Sequence, residues 1–201
     1  MRISASKNEL CLKVVYYGPG QGGKTTNLAH LHAAYPTAQR GGLIQLDTES
    51  ERTLFFDYFP VQLGTISGLR IKVDFFTVPG QSFYQATRRS VLEGADGVVF
   101  VADSDPDREE ANLVARQDLE RNLQASRRTL EGLPHVYQWN KRDLPRVLPE
   151  PLLNRMLNPE GAPSVGAVAA RGAGVMETQS LVLRLIMEEL RSSLGRTRHS
   201  A

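Results

Sequence analysis

Short apolar runs alternate with amphipathic stretches along most of the 201-residue chain. The runs are rich in β-branched and aromatic residues, which predicts buried strands over 10–18, 71–78, 97–103, 133–140 and 164–170. The amphipathic stretches carry apolar residues at helical spacing, which predicts helices over 24–35, 83–94, 107–126, 151–157 and 176–194. Because strands alternate with helices, the pattern predicts an α/β fold with a mostly parallel sheet and helices on both faces.

Composition and charge narrow the classes of function. A hydrophobic content of 41% and a charged content of 23% are typical of globular proteins, and a net charge of +2 gives no reason to expect nucleic acid as a partner. One cysteine, Cys11, excludes an intramolecular disulfide and a zinc site built from cysteines. We see no membrane span, signal peptide or lipidation motif, so we expect a cytoplasmic protein without a lipid anchor. We expect residues 1–195 to form one domain and residues 196–201 a flexible C-terminal tail.

A glycine-rich stretch, GPGQGGKTT over 18–26, lies between the first predicted strand and the first predicted helix. It matches the pattern G-x-x-x-x-G-K-[ST], in which backbone N–H groups face phosphate oxygens, lysine adds positive charge and the hydroxyl reaches magnesium. A flexible turn with an incidental Lys-Thr pair is the alternative, and the strand–loop–helix context argues against it. The candidate phosphate-binding residues are Gly18, Gly20, Gln21, Gly22, Gly23, Lys24, Thr25 and Thr26, and Thr25 is also a candidate magnesium ligand.

A second motif, NKRD over 140–143, follows the fourth predicted strand and indicates guanine. The carboxylate of Asp143 can accept from the ring N1–H and from the exocyclic amine of guanine, a pair of donors that adenine lacks. Asn140 can bond the purine edge or tie its loop to the phosphate loop, and the stem of Lys141 can cover the base plane. A third guanine contact from a backbone N–H is expected near the last strand, at Val168, Ala169 and Ala170.

A third motif, TVPGQ over 77–81, ends the strand predicted at 71–78. The N–H group of Gly80 is placed to bond a terminal phosphate, and the amide of Gln81 can orient an attacking water molecule. A Pro-Gly turn with an exposed glutamine is the alternative. The presence of all three motifs in this order favours the nucleotide interpretation.

In this order and spacing, GPGQGGKTT, TVPGQ and NKRD resemble the motifs of the Ras-like small GTPases. TESERTLFFDYFP, TVPGQSFY, DGVVFVADS and NKRDLP are more closely similar to the MglA group of bacterial polarity and gliding-motility GTPases, and the resemblance covers about residues 8–190. It implies a Ras-like P-loop NTPase fold with a six-stranded sheet, GTP hydrolysis with Mg²⁺, and distinct GDP- and GTP-bound shapes. It also implies a homodimeric roadblock-type GTPase-activating protein, a nucleotide-exchange factor, and polarity or motility effectors that recruit the protein to a cell pole.

The resemblance also assigns residues in SERTLFF, over 50–56. Thr53 matches the threonine that reaches Mg²⁺ and the γ-phosphate. Arg52 matches an arginine that the MglA group supplies in cis to neutralise charge between the β- and γ-phosphates, and the alternative is one more exposed charge in an acidic-basic loop. Phe56 and Asp57 lie where partner proteins would read the switch.

The main departure from the Ras-like pattern is Thr77, where most Ras-like proteins carry the aspartate of D-x-x-G. Support for Mg²⁺ must therefore be weaker or come from another residue. Asp74 is not expected to replace it, because it faces the same side only if the strand is irregular. A lysine near the third guanine contact is also missing, with Ala170 in its place.

Three functions from different classes follow from these motifs. The first is a slow GTPase switch that controls polarity or motility through nucleotide-dependent protein binding. The second is a GTP-binding scaffold with little or no hydrolysis, which the neutral Thr77 would allow. The third, an ATP-binding motor accessory, requires that NKRD have no role in base recognition.

Overall fold

The computed structural model describes residues 2–4, 6–46, 56–66, 68–80 and 85–198. Its strands are β1 (Arg2–Ser4), β2 (Glu9–Tyr17), β3 (Ile44–Leu46), β4 (Phe56–Ile66), β5 (Leu69–Thr77), β6 (Gly97–Asp103), β7 (His135–Asn140) and β8 (Ser164–Gly166). Its α-helices are α1 (Lys24–Ala34), α2 (Gln85–Leu92), α3 (Glu109–Ala125), α4 (Glu150–Leu157) and α5 (Val175–Arg198). These elements follow the alternation of apolar and amphipathic stretches that the sequence shows.

All eight described strands belong to one sheet, in which seven follow the order β3-β4-β5-β2-β6-β7-β8 and β1 pairs with β2. The pairs β2–β5, β2–β6, β6–β7 and β7–β8 are parallel. The pairs β1–β2, β3–β4 and β4–β5 are antiparallel. The sheet is therefore mostly parallel, as expected of a chain in which helices connect successive strands.

Apolar side chains fill both faces of the sheet, so the protein has two hydrophobic layers. Leu28 and Leu31 of α1 pack with Val182 and Ile186 of α5 on one face. The other face is covered by residues of α2, α3 and α4, among them Val91, Leu92, Leu119, Leu123, Leu153 and Leu157. The predicted α/β architecture with helices on both faces is confirmed.

The second layer contains Trp139, the single tryptophan of the chain. Its indole ring is fully buried and stacks on Tyr137, with ring centroids 5.3 Å apart and planes inclined by 28°. Trp139 therefore packs in the core at the end of β7, directly before Asn140.

The structure adds three features that the sequence pattern did not predict. The short strands β1 and β3 extend the six-stranded arrangement that the resemblance implied. The long β4 continues to Ile66, well beyond the aromatic residues at its start. Buried and partly buried side chains alternate over the first part of β4, and its last residues are exposed. The two-residue period of a strand therefore holds over only part of its length.

The ends of two predicted elements also differ. The last strand ends at Gly166, and a 3₁₀ turn at Ala169–Arg171 follows. Helix α5 continues through Arg198, so residues 196–198 are helical. Within the described part of the chain, no helix combines the length and the apolar character that crossing a membrane requires.

Candidate nucleotide-binding site

The loops that carry the sequence motifs lie at one edge of the sheet. Strand β2 pairs with β5 on one side and with β6 on the other, so the order of strands in the sheet changes direction at β2. The loops at the carboxyl ends of such parallel strands separate and leave a crevice at this point, which is where ligands bind in open α/β sheets. The stretch over 18–26 begins at this point, directly after β2.

Lys24, the first residue of α1, turns back into the phosphate loop. Its ammonium group donates to the carbonyl oxygens of Gly18 (2.9 Å) and Pro19 (2.7 Å). Burial lowers the pKa of Lys24 to about 8, because desolvation disfavours the charged form. A bound phosphate would oppose this shift, since a negative charge at this position stabilises the ammonium form.

Gly23 and Asn140 lie in contact where the phosphate loop meets the guanine motif. Gly23 has φ 99°, and a Cβ atom on it would lie 2.2 Å from Asn140 Nδ2, so both backbone conformation and space require glycine. Asn140 Nδ2 donates to the carbonyl of Gly22 (2.8 Å), and Asn140 Oδ1 accepts from the N–H of Ala169 (2.9 Å). Of the two roles that the sequence left open for Asn140, the structure shows the loop-tying one.

The lysine of NKRD is held by a buried carboxylate that the motifs did not single out. Lys141 Nζ donates to Asp103 Oδ2 (2.6 Å) at the end of β6, where Asp103 is fully buried. Arg108 Nε lies 3.8 Å from the same oxygen of Asp103, and the guanidinium donates to the carbonyl of Gly20 (2.6 Å). Asp103 therefore connects the guanine motif to an arginine that holds the tip of the phosphate loop.

Asp143 is the accessible carboxylate of the guanine motif. Its side chain is 31% exposed, and Oδ2 lies 3.6 Å from the guanidinium of Arg171. This weak pairing leaves acceptor sites for the two donors of a guanine edge. Of the three candidate N–H donors near β8, Val168 donates to Ala173 (3.0 Å) and Ala169 to Asn140, so those two are already engaged.

A carboxylate from β4 meets the hydroxyl of Thr25. Thr25 Oγ1 and Thr77 Oγ1 both donate to Asp57 Oδ2, at 2.6 and 2.8 Å, and the backbone N–H of Asp57 donates to Thr77 Oγ1 (2.8 Å). Asp57 is buried, and its carboxylate lies inside the site; contact of this residue with partner proteins stays a prediction. Asp74 bonds Tyr58 (3.0 Å) instead, as expected from its position on β5.

This group of oxygen atoms suits a magnesium ion. Mg²⁺ in nucleotide sites binds through one or two carboxylates, hydroxyl groups, waters and the phosphates of the substrate. Asp57 supplies the carboxylate and Thr25 the hydroxyl. Among the described residues, no cluster of three or more His, Cys, Asp or Glu side chains is arranged to hold a metal, so an ion here would need the nucleotide to complete its ligands.

Gly80, in the third motif, packs directly on the phosphate loop. A Cβ on Gly80 would lie 2.3 Å from the Cα of Gly20 and 3.2 Å from Lys24 Nζ. Only glycine allows this approach, and it places the TVPGQ motif beside the lysine that faces phosphate. In the phosphate loop, Gln21 is exposed and has φ 62°. Thr26 follows on the first turn of α1 and is half-buried.

Three predicted site residues, Arg52, Thr53 and Gln81, lie outside the described residues, and their roles stay predictions. Sequence reasoning missed Asp103 and Arg108 and gave Asp57 a different role. The run DSDPD over 103–107 offered acidic residues without a spacing tied to nucleotide chemistry. Only the pairing of β4 with β5 brings Asp57 beside Thr77.

Comparison with known proteins agrees with this geometry. No family model matches the chain. The mutual gliding-motility protein MglA of Myxococcus xanthus (strain DK1622) is 44% identical over 189 residues, which cover 94% of this chain and 97% of that protein. The chain belongs to the MglA group of Ras-like small GTPases.

Proposed function

We propose that this protein is a molecular switch that binds GTP and slowly hydrolyses it to GDP with Mg²⁺. Its output would be nucleotide-dependent binding of proteins that control cell polarity or motility. The observation that carries the proposal is the double hydrogen bond of Asn140 to Gly22 and Ala169, because it joins the guanine motif to the phosphate loop. The gliding-motility name of the similar Myxococcus xanthus protein supports the cellular role.

The described residues account for binding. Lys24 and the N–H groups at the start of α1 would neutralise and orient the phosphates. Asp143 would accept from the guanine edge, and Asn140 would keep the base loop in register with the phosphate loop. Thr25 and Asp57 would hold Mg²⁺, which supplies positive charge to the phosphate oxygens when bound.

Hydrolysis is assigned to residues outside the described part of the chain. Gln81 would orient the attacking water, Arg52 would neutralise charge between the β- and γ-phosphates, and Thr53 would complete the magnesium ligands. Gly80, packed on Gly20, fixes the position from which the chain continues to Gln81. Both catalytic groups must act together on the γ-phosphate, so we expect hydrolysis to be slow without an activating partner.

The partners and location follow from the same proposal. A homodimeric roadblock-type protein would accelerate hydrolysis, an exchange factor would replace GDP by GTP, and effectors would bind one nucleotide state. The protein would be cytoplasmic and would reach a cell pole through these partners. A GTP-binding scaffold that hardly hydrolyses GTP is the competing function, and the neutral Thr77 at the magnesium site is the observation that favours it.

Single-turnover GTP hydrolysis, with and without a roadblock-type partner, tests the proposal. We expect slow turnover alone and acceleration by the partner. Arg52→Ala should reduce the stimulated rate by about 10³-fold, as for arginines of this type elsewhere, and Gln81→Leu should also abolish most of the stimulation. ATP should not be hydrolysed, because adenine lacks the adjacent N1–H and 2-amino donors from which Asp143 would accept.

A matched control is Arg89→Ala, which removes an exposed arginine from α2 and should leave the rate unchanged. The scaffold function would be established instead if GTP binds, the partner does not accelerate hydrolysis by the wild type, and neither Arg52→Ala nor Gln81→Leu lowers the rate. Equal use of ATP and GTP would contradict both.

A further inference from the structure

A buried carboxylate on α3 connects three elements around the phosphate loop. Asp118 Oδ2 accepts from the hydroxyl of Tyr17 (2.5 Å), from Nε of Arg88 (2.7 Å) and from Nδ2 of Asn122 (3.1 Å). Tyr17 directly precedes the phosphate loop, and Arg88 belongs to α2. The side chains of Arg88 and Asp118 are only 9% and 11% exposed. One carboxylate therefore ties α2 to both α3 and the end of β2.

The ion pair acts where apolar packing of α2 is weak. Val91 and Leu92, at the end of α2, pack in the hydrophobic layer with α3, whereas Gln85 and Ala86, at its start, are exposed. Arg88 lies between these two halves. The first half of α2 thus depends on this polar contact more than the second half does.

A cavity next to the ion pair leaves space for α2 to move. It has a volume of about 360 Å³ and lies between the phosphate loop, α2 and α3. Its lining includes Gly18, Gly20, Gln85, Arg88, Val114 and Asp118. Close-packed interiors hold a helix by contact on all sides, and contact is incomplete here. Without the pair, the start of α2 would be free to shift into this space.

We propose that Asp118 and Arg88 are positioning residues for GTP hydrolysis, an inference that rests on the proposed function. The chain between Gly80 and α2 has two fixed ends, with Gly80 packed on Gly20 and Arg88 bound to Asp118. Gln81 lies in this span, four residues before α2. The ion pair therefore fixes the start of α2, the element that follows the water-orienting glutamine in the chain. The charge of Arg88 also acts on Lys24 and adds to the effect of burial in lowering its pKa.

The test separates nucleotide binding from hydrolysis in the full chain. We test Asp118→Asn and Arg88→Met. In Asp118→Asn, we expect the affinity for a fluorescent GDP analogue to change by less than about twofold. Arg88→Met also removes a charge that acts on Lys24, so its affinity is compared with that of Arg88→Lys. Single-turnover GTP hydrolysis should slow by about tenfold or more, because small displacements of a catalytic group have effects of this size. Amide hydrogen exchange over residues 85–92 should become faster in both variants. Arg88→Lys, which keeps the charge, should restore part of the rate.

The control is a second buried cluster on the opposite side of the same helix. Arg116 of α3 pairs with Glu160 and donates to the hydroxyl of Tyr137 (2.6 Å), so it also combines an arginine, a carboxylate and a tyrosine. Glu160→Gln should lower the melting temperature and leave both the hydrolysis rate and the exchange of α2 unchanged.

The proposal is overturned if Asp118→Asn and Glu160→Gln slow hydrolysis equally, or if exchange over residues 85–92 stays at the wild-type rate in Asp118→Asn. A wild-type protein that does not hydrolyse GTP contradicts the proposed function rather than the contact itself. In that case the exchange of α2 still decides whether the pair positions the helix.

Discussion

At the scale of single residues, the carboxylate next to the hydroxyl of Thr25 belongs to Asp57 on β4. The Ras-like pattern would place a carboxylate on β5 instead. That pattern puts an aspartate three residues before Gly80, at position 77, and this chain has threonine there. Asp57 of β4 reaches the same place, and Thr77 donates a hydrogen bond to it. This chain therefore has a carboxylate next to Thr25 that the D-x-x-G position does not supply.

Replacing Asp57 tests this assignment. Asp57→Asn keeps the size of the side chain and removes its charge, so we expect the Mg²⁺ concentration for half-maximal GDP affinity to rise by about tenfold or more. The measurement is a titration of Mg²⁺ at fixed fluorescent GDP. Asp74→Asn is the matched control, because Asp74 lies on the neighbouring strand and bonds Tyr58 and Lys72 away from the site. Equal effects of the two variants would contradict a direct role for Asp57.

The pKa of Lys24 gives a second prediction at this scale. Burial lowers that pKa to about 8 in the nucleotide-free protein, and bound phosphate would raise it again. Above about pH 8 the free lysine has lost its proton and the bound lysine keeps it, so binding must take up a proton. We therefore expect GDP affinity to be nearly constant below about pH 7.5 and to fall by up to tenfold per pH unit above about pH 8.

Fluorescent GDP titrations between about pH 7 and pH 9 measure this effect. Lys24→Arg provides the reference, because a guanidinium stays protonated over this range. Its affinity should be lower but independent of pH. A wild-type affinity that is equally flat would show that Lys24 keeps its proton in the empty site.

At the scale of elements, the ends of β6 and β7 carry the loops that hold the site together. Strand β6 ends at Asp103, which binds Lys141, and β7 ends at Asn140, which binds the phosphate loop and the segment after β8. Each link joins loops that are distant in sequence and adjacent at the edge of a parallel sheet. Both strands are buried along their whole length, so we expect these contacts to preorganise the site before nucleotide binds.

Asn140→Ala tests this preorganisation. It leaves the carbonyl of Gly22 and the N–H of Ala169 without their partner, at about 1 to 3 kcal/mol for each group. We expect a lower free energy of unfolding in urea. We also expect GDP affinity to fall by about tenfold or more, since about 1.4 kcal/mol of lost preorganisation has that effect.

Asn158→Ala is the matched control for that experiment. Asn158 is also buried, and its side chain likewise makes two hydrogen bonds to one backbone segment, to the carbonyl (2.7 Å) and the N–H (2.8 Å) of Ala162. Its loss should reduce stability and leave GDP affinity unchanged. If Asn140→Ala also reduced only stability, the tie between the loops would have no role in binding.

At the scale of the whole molecule, the sequence predicted most of the architecture because its main signals are local. Apolar residues at helical spacing and short β-branched runs identified the five α-helices that the structure describes and the central parallel strands. The three motifs fell at strand ends, so a parallel sheet necessarily brought them to one edge. Residues such as Lys24, Asn140 and Gly80 could be placed in the site on this basis.

The remainder depends on contacts between residues far apart in the chain. The antiparallel pairing of β4 with β5 puts Asp57 beside Thr77, and it includes an irregularity between Gln62 and Thr65. The alternation within one strand does not identify the strand with which it pairs, and the irregularity shifts the register along this pair. The link from Asp118 to Arg88 likewise requires the packing of α2 on α3. Such pairs of charged residues look like ordinary surface charges when read along the sequence.

The single tryptophan also makes the unlabelled protein its own optical probe. Trp139 is buried against Tyr137 and directly precedes Asn140, which contacts both the phosphate loop and the segment after β8. Indole emission depends on the surroundings of the ring, and here it comes from one position in the whole chain. Any rearrangement of the end of β7 on nucleotide exchange would therefore be recorded directly in the intrinsic fluorescence, without a dye or an added label.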